Sequence, residues 1–82
     1  MIVQTKLFAM LTQYHPDHPA GTPFPVELPE NSTIQDLIEQ LKIPVDETKL
    51  TFVNNLIRPL DYPLKDGDRV GIFPPVAGGE KP

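Results

Sequence analysis

The most constraining run of residues is a single apolar stripe. Ile34, Leu37, Ile38 and Leu41 recur at i, i+3, i+4 and i+7, which places them on one side of a helix. Gln35, Asp36, Glu39, Gln40 and Lys42 take the other side. Either Ser32 or Thr33 can cap the start, with Gln35 or Asp36 three positions on to complete a capping-box-like arrangement. Pro44 stops the helix, and the residue before a proline is already biased toward extended backbone. A helix of about two to three turns is marginal by itself, so it needs a sheet to lie on. The stripe therefore reads as core rather than as a ligand surface.

The remaining apolar runs can supply that sheet only as short strands, because 11 prolines divide the chain. Ile2 to Leu11 is expected to be the first strand. Val3, Thr5, Leu7, Ala9 and Leu11 form one alternating set; Gln4, Lys6, Phe8 and Met10 form the other, wetter set. Tyr14 to Pro23 reads as a loop, since Pro16, Pro19, Gly21 and Pro23 suit no sheet interior. Phe24 to Leu28 is a second strand, and Pro25 inside it requires either an edge strand or one that begins after that residue. After the helix and a polar connection over Val45 to Lys49, Leu50 to Val53 is a third strand. Asn54-Asn55 suits a two-residue hairpin turn into Leu56-Ile57-Arg58. Asp61 to Leu64 is a connecting turn. Lys65-Asp66-Gly67-Asp68 is a tight one, with Gly67 placed to take positive φ. In the final strand, Arg69 to Phe73, Val70 and Ile72 share one face and Arg69, Gly71 and Phe73 the other. Strands, one helix, then more strands predict an α+β domain: a mixed four- to five-stranded sheet with one main helix packed on one face.

Composition narrows the function. A chain of 82 residues supports one domain, with little room for an enclosed catalytic cavity beside its core. There is no cysteine, which removes disulfides, thiolate metal sites and a thiol nucleophile together. The formal net charge of −4 argues against a nucleic-acid partner, since phosphate binding needs a basic patch. An acidic surface suits instead a basic docking face on another protein. No apolar run is long enough to span a bilayer, and the first residues lack the pattern of a secretion signal, so a cytoplasmic location is expected. His15, Asp17 and His18 cluster in the long loop; two histidines and an aspartate with no further ligand read as a solvated loop rather than a metal site. Asp66 and Asp68 read as turn chemistry rather than a catalytic pair, because no apolar pocket is available to split their pKa values. No cofactor is expected.

The carboxyl end carries the clearest functional signal. After the last strand come Pro74-Pro75-Val76-Ala77-Gly78-Gly79-Glu80-Lys81-Pro82. Two prolines stiffen the exit. Two glycines then give a slim segment that can thread into a narrow active site on another protein. The expected division is a domain over 1–77 and a tail over 78–82.

This combination resembles the ubiquitin-like β-grasp fold and, more narrowly, the small sulfur-carrier proteins of the MoaD/ThiS family. The resemblance covers essentially the whole chain. Its specific part runs from Leu64 through the Asp66-Gly67-Asp68 turn and the apolar strand to Phe73-Pro74-Pro75-Val76-Ala77-Gly78-Gly79; Phe52-Val53-Asn54 also resembles the family's hairpin entry. The Phe-Pro-Pro-Val form leans toward the branch of the molybdopterin synthase small subunit. The resemblance implies a protein co-substrate rather than an enzyme. An E1-like adenylating enzyme would activate Gly79, next to Gly78, and a sulfur donor would convert it to a thiocarboxylate. That group would then serve a large synthase subunit or another sulfur-acceptor enzyme, most simply in molybdenum or tungsten pterin cofactor assembly. By matching position, Phe8, Ile57 and Phe73, with Pro74 and Pro75, would form the partner-binding patch. The family pattern ends at the second glycine, whereas this sequence continues through Glu80-Lys81-Pro82. Three outcomes are open: a processing protease removes these residues, which is the reading preferred here; they are a cloning remnant; or the protein has left sulfur transfer. Two other readings stay open: a ubiquitin-like modifier conjugated through Gly79, and a non-catalytic interaction domain.

Overall fold

The computed structural model describes residues 1–14 and 21–75. Five strands occur in chain order: β1 (Ile2–Leu7), β2 (Phe24–Glu27), β3 (Leu50–Val53), β4 (Leu56–Ile57) and β5 (Arg69–Phe73). One α-helix, α1 (Ile34–Gln40), lies between β2 and β3. The sheet order is β2-β1-β5-β3-β4. The chain's first and last strands thus lie side by side at the centre, parallel, with Thr5 opposite Val70 and Leu7 opposite Ile72. The other pairs are antiparallel. β2 is an edge strand, as Pro25 requires, and Pro25 is exposed opposite Gln4.

One face of the sheet packs on α1. Val3, Leu7, Val53, Val70 and Ile72 are buried there together with Ile34, Leu37 and Ile38 of the helix. Each of these three helical side chains stabilises the fold by roughly 1.5–3 kcal/mol. Leu41, the fourth member of the stripe, is only half-buried because it is already the C-cap. Thr33 is the N-cap: its hydroxyl accepts from the Asp36 amide at 3.2 Å, and the Asp36 carboxylate accepts from the Thr33 amide at 2.9 Å. The helix ends before Pro44 acts. Lys42 turns left-handed with φ 63°; its amide donates to Glu39 O and that of Ile43 to Ile38 O, at 3.0 and 3.1 Å. This is a Schellman motif, with buried Ile43 supplying its apolar contact.

The first strand is shorter than its alternation suggests. It ends at Leu7, and residues Ala9–Tyr14 form a 3-10 helix. Ala9 takes a positive φ of 54°, which lifts the chain out of the sheet. Ala, Met, Leu and Gln have little strand preference to resist this. Ala9 is consequently exposed rather than in the core, while Leu11 is buried from the 3-10 turn instead of from a strand. The polar connection after α1 likewise contains a short 3-10 helix, Val45–Glu47. The two turns are tied together: the Tyr14 hydroxyl donates to Glu47 Oε1 at 2.8 Å. That bond to a carboxylate raises the pKa of the phenol.

Candidate functional site

The face of the sheet opposite α1 has no covering element among the described residues. Strand pairing defines what it presents. One row across it is Lys6, Gly71, Phe52 and Ile57, and the next pairs Phe73 with Leu50. Ile57 and Leu50 are exposed at 62% and 40%, too open for core residues.

Three rings meet at the middle of this face. Phe8 and Phe73 stack with centroids 4.1 Å apart and planes 4° from parallel. Phe52 meets Phe73 edge-on at 5.4 Å and 70°. Such pairs contribute about 0.5–1.5 kcal/mol beyond their buried area. Gly71 lies beneath both rings: a Cβ there would sit 3.5 Å from Phe8 Cε2 and 3.8 Å from Phe73 Cε1, ordinary van der Waals contact. Gly21, at φ 76°, closes the other flank, with a built Cβ 3.4 Å from Phe8 Cε1. All three rings remain half-exposed.

The expected patch of Phe8, Ile57 and Phe73 is therefore brought to one face, but it is incomplete without Phe52. Alternation could have found Phe52, since Thr51 and Val53 on either side of it are buried. A polar residue on the buried side obscures the pattern. Thr51 tolerates burial because its hydroxyl donates to Arg58 O at 2.6 Å. Phe8 reaches the face from beyond the end of β1 rather than from within it. Pro74 is half-buried and Pro75 exposed at the exit of β5.

Gly78, Gly79 and Glu80-Lys81-Pro82 lie outside the described residues, as does the expected domain boundary at residue 77. Gly79 is six residues beyond Phe73, so covalent geometry alone keeps it within about 20 Å of the ring cluster. His15, Asp17 and His18 also lie outside the described residues. Asp66 and Asp68 do serve the turn. Asp66 Oδ1 accepts from the Ile2 amide at 2.8 Å, and Asp68 Oδ2 from the Lys65 amide at 2.8 Å. Asp68 Oδ1 accepts from Asn54 Nδ2 at 3.0 Å. Gly67 between them takes φ 87°. No helix among the described residues is long and apolar enough to cross a membrane.

A parallel pair of terminal strands in a mixed sheet, with one helix across one face, is the ubiquitin-like β-grasp. The chain matches the family model ThiS over residues 19–79, and it belongs to the ThiS family. A solved structure from Pyrococcus furiosus, described as molybdopterin converting factor subunit 1, is 33% identical. It superposes with a TM-score of 0.70 over 93% of this chain and 99% of that one. Small archaeal modifier protein 1 of Haloferax volcanii is 20% identical, with a TM-score of 0.71 over 92% and 98% of the two chains. A complex of subunits 1 and 2 of the molybdopterin-converting factor from Helicobacter pylori contains a chain 22% identical to this one, with a TM-score of 0.60 over 96% and 100%. At those identities the last two show the fold alone. Comparison with curated protein sequences gives no significant match.

Proposed function

We propose that this protein is a sulfur carrier whose working group is the carboxyl of Gly79, exposed when a protease removes Glu80-Lys81-Pro82. The observation that carries this reading is the uncovered Phe8, Phe52 and Phe73 cluster at the root of a diglycine segment, in a chain of the ThiS family. Exposed aromatics of this kind are suited to anchoring an interface. They lie close enough to Gly79 for one partner to hold the domain and act on the tail.

The chemistry follows from the carboxylate. It is a poor electrophile, so an E1-like enzyme first joins it to the α-phosphate of ATP and releases pyrophosphate. Hydrosulfide then attacks the acyl carbon; the new C–S bond replaces the C–O bond to AMP, which leaves, and loss of the sulfur's proton gives the thiocarboxylate. Gly78 contributes by having no side chain to obstruct the adenylating site. The domain is a co-substrate: it carries sulfur and presents it, and the acceptor enzyme catalyses transfer. The 33%-identical Pyrococcus relative favours molybdenum or tungsten pterin cofactor assembly, with a large synthase subunit as acceptor.

Exchange of labelled pyrophosphate into ATP by the adenylating enzyme of the same organism tests this reading. The chain ending at Gly79 should support exchange, and the chain ending at Pro82 should not. Absence of exchange with both would refute the carrier reading. Exchange followed by Gly79-dependent conjugates in a lysate, without thiocarboxylate, would replace it with a modifier.

A further inference from the structure

The chemistry of the surface that meets this domain can also be read, given the docking role proposed above. The chain is acidic overall, with net charge −4, which taken alone favours a basic partner. The open face of the sheet is locally the reverse. Lys6 and Arg69 are both exposed on it and line the same depression as Phe8, Phe52 and Phe73. Lys6 is paired with Gly71, which lies beneath Phe8, and Arg69 is paired with Gln4 one step along. Among the described residues the ion pair within 4.0 Å joins the Met1 amino group to Glu30 at 3.5 Å, so neither cation is matched by a carboxylate of those residues.

Several of the described acidic residues are placed elsewhere. Asp36 and Glu39 are exposed on α1, behind the sheet. Asp68 adjoins Arg69, but its Oδ2 accepts from the Lys65 amide and its Oδ1 from Asn54 Nδ2 in the β3–β4 hairpin. Glu27 shares the open face at a far corner, opposite Ile2. That is four residues along β1 from Lys6, or about 13 Å. Against a purely apolar partner the two cations would lose hydration with no counter-charge among the described residues to replace it. The partner must therefore supply opposite charge where it covers them.

We infer that the E1-like adenylating enzyme meets this face with an apolar pocket for the Phe8–Phe73 stack, flanked by carboxylates that pair with Lys6 and Arg69. The rings hold the complex, and the two cations orient and accelerate its formation. Charges at the rim of an interface act mainly on the association rate and its salt dependence.

Stopped-flow association with the adenylating enzyme of the same organism tests this at several ionic strengths, using the full chain. The Lys6→Glu/Arg69→Glu variant should associate about tenfold or more slowly at low salt. The wild-type rate should fall as salt rises, and that of the double variant should not. Lys42→Glu, which makes the same kind of charge change beside the helix, should change the rate little. If the doubly reversed variant is unfolded by circular dichroism, Lys6→Gln/Arg69→Gln should slow association in the same direction by less. Weak binding of Phe8→Ser with unchanged association of the charge variants would overturn the acidic-pocket inference while leaving the docking face intact. Unchanged binding of Phe8→Ser as well would overturn the docking reading itself.

Discussion

Phe8 and Phe73 stack at 4.1 Å across the open face of the sheet, joining the segment just after β1 to the last residue of β5. The contact spans the parallel central pair at the point where the chain leaves the sheet for its diglycine segment. Neither ring belongs to the core under α1. Phe8→Ser should therefore weaken docking to the adenylating enzyme while leaving the fold intact. The loss of the stack should cost the domain only about 0.5–1.5 kcal/mol beyond the area term. Calorimetric titration with that enzyme, beside a urea melt, separates the two effects; unchanged affinity would remove Phe8 from the docking surface.

The helix start is held by a reciprocal pair of hydrogen bonds between Thr33 and Asp36. Thr33→Ala removes the side-chain acceptor and should destabilise the domain by about 0.5–2 kcal/mol. The urea midpoint should fall with an unchanged slope. A midpoint equal to that of wild type would mean that water or a neighbouring group replaces the cap without loss.

The helix end presents the opposite opportunity. Lys42 occupies a left-handed conformation, φ 63°, at the position where Schellman motifs usually carry glycine. Lys42→Gly relieves that strain, partly offset by the greater freedom of glycine in the unfolded chain. A net gain of roughly 0.5–1 kcal/mol is expected. A lower thermal midpoint for the variant would show that the lysine side chain contributes more than its backbone costs.

Thr5 is fully buried between the sheet and α1, and its hydroxyl has no hydrogen-bond partner among the described residues. An unpaired buried hydroxyl destabilises the folded state, and valine has the same shape without it. Thr5→Val should raise stability by roughly 1 kcal/mol. Chemical denaturation measures the change; a loss would indicate that the hydroxyl is satisfied in solution.

The helix and the last strand were legible because their patterns are uninterrupted. Ile34, Leu37 and Ile38 face the core as their spacing implies, and Val70 and Ile72 alternate with Gly71 and Phe73 as expected. The boundary of β1 was not legible. Alternation continues through Ala9 and Leu11, but only the backbone angle at Ala9 reveals that the chain has left the sheet. Phe52 was hidden by Thr51, whose burial depends on a bond to Arg58 O that no local pattern announces. The distribution of charge was not legible either. A sum over the chain carries no information about Lys6 and Arg69 sharing one side of a sheet.

Sulfur carriage as proposed requires Gly79 to become the chain end. Intact mass of the protein isolated from its own cells tests it most directly. The expected species is a chain ending at Gly79 with one carboxylate oxygen replaced by sulfur. A chain still ending at Pro82, in cells shown to express the processing protease and the adenylating enzyme, would contradict it.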